Sequence, residues 1–138
     1  MRLIASLAVA FVLGLAAAQS ARAEDPAAAI PAVIADQIAA FQRNDLAAAF
    51  AHAAPSIQTK FRNPQIFGRM VESGYPMIWR PQSYEILGLQ VEGTRYVQTV
   101  LFQDARGRFY EADYLMTELD GDWRIAGVFL REAPGIAS

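Results

Sequence analysis

The 138-residue chain has no cysteine and a single histidine. Disulfides, thiolate-ligated metal and a cysteine nucleophile are therefore excluded, and a metal site built from several imidazoles cannot form. Without a cysteine there is also no residue for lipid anchoring at a signal-peptide junction. Basic residues are no more abundant than acidic ones, 12 against 14, and they form no run. The electrostatic footprint of a nucleic-acid or anionic-membrane binder is missing. No internal repeat or low-complexity linker is present apart from an Ala-rich leader.

What is there begins with an export pattern. Met1 and Arg2 precede the apolar run Leu3 to Ala18, and Ala21-Arg22-Ala23 places small residues where signal peptidase requires them. The run is too short and too Ala-rich to be read as a membrane span. We expect residues 1–23 to be a signal peptide and residues 24–138 one mature domain, periplasmic or secreted, with no stable membrane anchor after cleavage. Loss of Arg2 and Arg22 leaves 10 of the 12 basic side chains against 14 acidic ones, a formal charge of −4. A single domain of this length buries roughly 65% of its unfolded surface.

Helical spacing opens the mature chain. Ile30, Val33, Ile34, Ile38 and Phe41 form one apolar stripe, with Asp36, Gln37 and Arg43 turned away from it. Asn44-Asp45 closes that helix and caps a second, Leu46 to about Ala53, which Pro55 is expected to stop. Asn63-Pro64 caps a third, with Ile66, Phe67, Met70 and Val71 on its apolar face and Gly74 at its end. The aromatic segment Tyr75 to Pro81 is held between prolines and is expected to be extended.

Period-two alternation then takes over. The first strand, Tyr84 to Val91, changes apolar phase between Ile86 and Leu87, which predicts a bulge. A second strand covers Thr94 to Gln103 and a third Phe109 to Leu119. Asp120-Gly121 is a strong two-residue hairpin signal before the last strand, Trp123 to Leu130. Counting outward from that turn places Met116 opposite Ile125, Tyr114 opposite Gly127 and Ala112 opposite Phe129. One face then carries Tyr110, Ala112, Tyr114, Met116, Trp123, Ile125 and Phe129. Glu111, Asp113, Leu115, Thr117, Arg124, Ala126, Val128 and Leu130 fall on the other. For the second strand, loops of three or four residues give opposite phases. The commoner three-residue loop, Ala105 to Gly107, puts Tyr96, Gln98, Val100 and Phe102 inside and Val97, Thr99 and Leu101 outside.

The expected class is therefore α+β, with three N-terminal helices packed on a curved antiparallel sheet of about four strands. That order, closed by a W-R-I-x-G strand, resembles the nuclear transport factor 2-like superfamily, also called the cystatin-like cone fold. Ala40 to Phe61, Phe67 to Glu85 and Asp120 to Leu130 are more closely similar to a bacterial family known as domain of unknown function 4864. The superfamily resemblance implies a cone whose helices cover the concave side of the sheet, often leaving a pocket at its wide end. It also implies frequent dimerisation through the opposite side. Some members of the superfamily are enzymes and many are binding or accessory domains, so fold alone decides no chemistry.

Residue types favour binding. The register puts Glu111 and Asp113 outside, Asp36 lies off its helix stripe, Glu118 sits at the far hairpin end, and His52 lies off the apolar face of its helix. The expected ligand-binding set is Tyr75, Trp79, Arg80, Tyr96, Gln98, Tyr110 and Tyr114, groups better suited to hydrogen bonding than to proton transfer at neutral pH. The half-apolar outer face, Val97, Leu101, Leu115, Val128 and Leu130, is expected to form a homodimer interface. We expect a non-catalytic exported module for a small apolar ligand or a protein partner, with no metal, no cofactor and no nucleic acid. A small isomerase, cyclase or hydrolase acting in the cone, with Tyr114 as donor and His52 or an acid as base, is the alternative. Docking of another exported protein on Tyr75 to Pro81, through Trp79 and Arg80, is a further one.

Overall fold

The computed structural model describes residues 25–133, so the expected export segment lies outside it. Five helices precede four strands, in the order α1 (Pro26–Gln42), α2 (Leu46–Ala51), α3 (Pro55–Phe61), α4 (Pro64–Gly74), α5 (Pro76–Trp79), β1 (Ser83–Glu92), β2 (Arg95–Gln103), β3 (Phe109–Leu119) and β4 (Asp122–Glu132). The strands form one antiparallel meander in sequence order. Among the described residues no helix is long and apolar enough to cross a membrane.

The helix starts follow local chemistry. Side-chain oxygens of Asp25, Asp45 and Asn63 accept the backbone N–H of Ala27, Ala48 and Ile66, satisfying donors that a first turn leaves free. Asn44 takes the left-handed conformation expected of it, at φ 58°. The three expected helices are present, and two short ones join them. Pro55, expected only to stop α2, also starts α3. Pro76 likewise starts α5 within the segment expected to be extended. Proline at a first helical position loses no hydrogen bond, so the same residue serves as a stop for one element and a start for the next.

The apolar stripe of α1 forms the middle of the core. Ile30, Ile34, Ile38 and Phe41 are buried against the concave side of the sheet, where Val100, Phe102, Ala112, Tyr114, Met116 and Ile125 face them. β1 and β2 keep the expected phases. Their register shifts between Ile86 and Leu89, and the buried amide of Gln98 donates to the carbonyls freed there, Leu87 at 2.9 Å and Gly88 at 3.1 Å. The β2–β3 turn is the three-residue loop, with Asp104 Oδ1 accepting the N–H of Arg106 and Arg108 and Gly107 at φ 82°. Asp120 and Gly121, both at positive φ, make the last hairpin.

β4 departs from simple counting. Met116 pairs with Ile125 as expected, but Leu115 pairs with Gly127, which leaves Ala126 as an extra residue. Beyond this bulge every side chain changes face. Tyr114 pairs with Val128 and Ala112 with Leu130, while Phe129 pairs with Asp113 on the convex side. Val128 and Leu130, expected outside, pack against the core, and Phe129, expected inside, is 66% exposed. The cause is tertiary: the α2–α3 connection joins the free edge of β4. The Ile125 N–H donates to the His52 carbonyl and the Ala54 N–H to the Ile125 carbonyl, both at 2.8 Å, alongside a parallel bridge from Ala53.

Candidate functional site

Between α1, α3, α4 and the bulged part of β4 the packing leaves a cavity of about 370 Å³. This is near the lower end of the range of small-molecule sites, about 300–1,000 Å³. Its buried lining includes Phe41, Phe67, Val71, Ile78, Tyr114 and Ile125. Phe61 and Met70 are half-buried in it, and Ser56, Lys60 and Phe129 line it from exposed positions, which places them at its mouth. Phe67 sits among the rings of Phe41, Phe50 and Phe61, with centroids 5.4–5.9 Å away, so three other helices hold this wall through one side chain.

Few residues with polar side chains border the cavity. Gln37 is buried, and its amide nitrogen donates to the Ala49 carbonyl at 3.1 Å, tying α1 to α2. Among the described residues its Oε1 takes no hydrogen bond. Tyr114 is wholly buried, and among the described residues its hydroxyl has no hydrogen-bond partner. Burial pushes its phenol far above the ordinary value, with Tyr84 adding to the effect, so the hydroxyl remains a neutral donor. Among the described residues no carboxylate and no imidazole lines the cavity.

Of the seven residues expected to bind ligand, Tyr75 and Tyr114 line the cavity and the other five do not. Arg80 instead closes the C-terminal end of α1. Its Nη1 donates to the Phe41 carbonyl at 2.6 Å and to the Trp79 carbonyl at 2.8 Å, and its Nη2 donates to Asn44 Oδ1 at 2.6 Å. The guanidinium also lies 4.5 Å from the Trp79 ring centroid, and that ring packs on Phe41. Tyr96 meets Trp123 edge-on at 4.8 Å, Gln98 serves the β1 bulge, and Tyr110 packs at the edge of the core. These side chains make their contacts within the fold, where a curved sheet under a short helix layer needs large side chains and has freed carbonyls to satisfy.

The carboxylates lie elsewhere. Glu111 and Asp113 are on the convex face as expected, both bonded to Arg131, and Asp113 also accepts from Thr99 Oγ1 at 2.8 Å. The Arg131 bond holds the Asp113 carboxyl below its ordinary range. Asp36, Glu118 and Asp122 share a separate depression beside Trp123. Among the described residues no group of three or more His, Asp or Glu side chains could hold a metal ion.

His52 is half-buried outside the cavity. Burial holds its imidazole below the ordinary 6.5, an effect that Asp36 opposes and Arg124 and Arg43 reinforce. A lowered folded-state value means that the unfolded chain takes up the proton first. The stabilising contribution of neutral His52 is therefore present above about pH 6.5 and is lost as pH falls below that. The denaturation midpoint is expected to drop between about pH 7.5 and 5.5 by more in the parent than in His52→Gln. Equal drops would contradict the assignment.

Sequence reasoning misses the residues that give the cavity its mouth. Lys60 carries a readable signal, since lysine occurs only once in the chain.

A helical layer over the concave side of a bulged four-stranded meander, with an apolar cavity between them, is a fold that this chain shares with a solved nuclear transport factor 2-like protein. The crystal structure of an NTF-2 like protein of unknown function from Silicibacter pomeroyi DSS-3 superposes with a TM-score of 0.53 at 19% identity, over 78% of this chain and 95% of that one. The chain belongs to the family described as Domain of unknown function (DUF4864), whose pattern matches residues 23–138. Comparison with curated proteins finds no match.

Proposed function

We propose that the protein is an exported binding module that takes a small, mostly apolar ligand into the cavity between α1, α3, α4 and β4. The observation that carries this reading is the Tyr114 hydroxyl, buried without a partner on a residue that lines an apolar space of about 370 Å³. Native proteins rarely leave such a group unpaired, because it costs about 1–3 kcal/mol. A ligand with an apolar body would fill the space, and an acceptor atom on it that displaced the packing now sealing the hydroxyl would pair that group. Among the described residues the lining offers no carboxylate and no imidazole, and its one charged group, Lys60, stands exposed at the mouth, which favours binding over the enzymatic alternative.

The test uses a neutral, environment-sensitive dye such as 1-aminoanthracene. The protein is expected to bind it, and Met70→Trp, which adds bulk to a half-buried wall residue, is expected to reduce binding at least about fivefold while retaining the parent circular dichroism spectrum. Absence of dye binding, or equal binding by the variant, would overturn the reading.

A second reading rests on Phe129. At 66% exposed it stands on the convex face with Val97, Leu101 and Leu115, an apolar group that favours self-association. In this reading Phe129 would take the place that Val128 and Leu130 have in the expected homodimer interface. Sedimentation at high micromolar concentration should give a dimer that Phe129→Ser converts to monomer. A parent protein that sediments as a monomer would exclude it.

A further inference from the structure

The charge at the mouth of the cavity narrows the ligand class, an inference that rests on the binding reading above. Lys60 is exposed on α3, lines the cavity, and has its ammonium 5.4 Å from the centroid of the Phe61 ring, another lining residue. Contact with that ring holds the lysine stem across apolar surface and leaves the ammonium donors facing water. Among the described residues Lys60 makes no ion pair and no hydrogen bond through its side chain. Among the described residues the lining therefore carries one positive charge and no negative one, within a chain of net charge −2. That local reversal of sign concerns the only lysine of the protein.

We propose that the ligand is an amphipathic monoanion. Its apolar body lies among Phe41, Phe61, Phe67 and Val71, a neutral oxygen meets the inner polar groups Tyr114 and Gln37, and its carboxylate or comparable acid meets Lys60 at the mouth. Size is consistent with this class. The cavity is roughly two and a half times the 150 Å³ that holds one benzene ring, enough for a medium-length chain or a fused pair of rings. The two ends of such a molecule face different surroundings. The inner end enters a site with neutral hydrogen-bonding groups only, where an ionised head would be desolvated without compensation. The outer end keeps its water and gains a cation. Orientation is thereby set by charge, acid outward.

Two probes of equal length separate the acid from the rest of the molecule: 10-hydroxydecanoate, with one hydroxyl and one carboxylate, and 1,10-decanediol, with two hydroxyls. Isothermal titration of the full-length exported chain is expected to show the acid binding about fivefold more tightly than the diol at low salt, the size of a partly exposed charge-assisted contact. In Lys60→Gln the acid is expected to fall to within about twofold of the diol, with diol affinity unchanged. Lys60→Arg is expected to keep the preference. Equal affinities in the parent, or a preference that survives in Lys60→Gln, would overturn the monoanion proposal and leave the binding module standing. Absence of binding by both probes would overturn the two together. Because Lys60 is solvent-facing and tied to no other element, an unchanged melting curve of the glutamine variant is expected, and it separates a binding effect from a folding one.

Discussion

Tyr114→Phe is expected to make the ligand-free protein more stable, by about 1–3 kcal/mol, while weakening its grip on ligand. Removal of the oxygen leaves the ring in place beside that of Phe102, so packing is kept and an unpaired donor is deleted. For a domain of this size the gain corresponds to a rise in melting temperature of about 4–8 °C per kcal/mol. Ligand affinity moves the other way, because the phenylalanine ring offers no donor: a roughly tenfold loss is expected for a probe with an inner oxygen and little change for a purely apolar one. Opposite signs in the two measurements are the signature of a group kept for binding. Destabilisation by Tyr114→Phe would mean that the hydroxyl is already satisfied within the fold, and the functional reading would lose its main support.

The largest loss of stability is expected from Phe67→Ala, about 3–5 kcal/mol. The ring is buried, contacts Phe41 of α1, Phe50 of α2 and Phe61 of α3, and belongs to α4 itself. Four helices meet on one side chain. Alanine would add to a cavity that is already present, so neighbouring rings have no new wall to close upon. Set against a typical domain stability of about 5–15 kcal/mol, that is a large share of the total. Urea denaturation with an unchanged slope would measure it, and a cost below about 1 kcal/mol would show that the helices hold together without this residue. Any Phe67→Ala protein that remains folded should also bind bulkier dyes than the parent, because the wall it removes is the one shared between core and site.

Much of this architecture is legible in the amino-acid sequence. Asn44-Asp45 and Asn63-Pro64 mark helix ends through cap chemistry that acts over two or three residues, and Asp120-Gly121 marks the last hairpin for the same local reason. The phase slip near Ile86 announces the first bulge, because face alternation is itself a property of sequence. The second bulge is not legible. Ala126 is extruded where His52, Ala53 and Ala54, some seventy residues earlier, bond to Ile125, and nothing in the strand's own pattern records that partner. The consequence runs to the end of the strand: counting alone sends Phe129 inside and Val128 and Leu130 outside, the reverse of where they lie. Five of the expected site residues fall outside the cavity for a related reason. Trp79, Arg80, Tyr96 and Gln98 have side chains that can serve a ligand or the fold equally well, and only the positions of the α1 end, the Trp123 ring and the β1 bulge explain the contacts they make. Lys60, whose rarity is plain, lies on a helix hidden behind a proline that reads only as a stop.

The pairing of residues 52–54 with β4 also bears on how the protein behaves in crowded solution. An open sheet ends in two strands whose outward N–H and C=O groups can recruit a strand from another molecule. At β4 part of that row is already occupied by the chain's own α2–α3 connection. At the opposite border β1 is interrupted by the displaced Leu87–Gly88 segment, which breaks the flat run a foreign strand would need, and Glu85 and Glu92 add like charges along it. The two irregularities that complicate the register thus guard the two borders of the sheet against intermolecular strand addition.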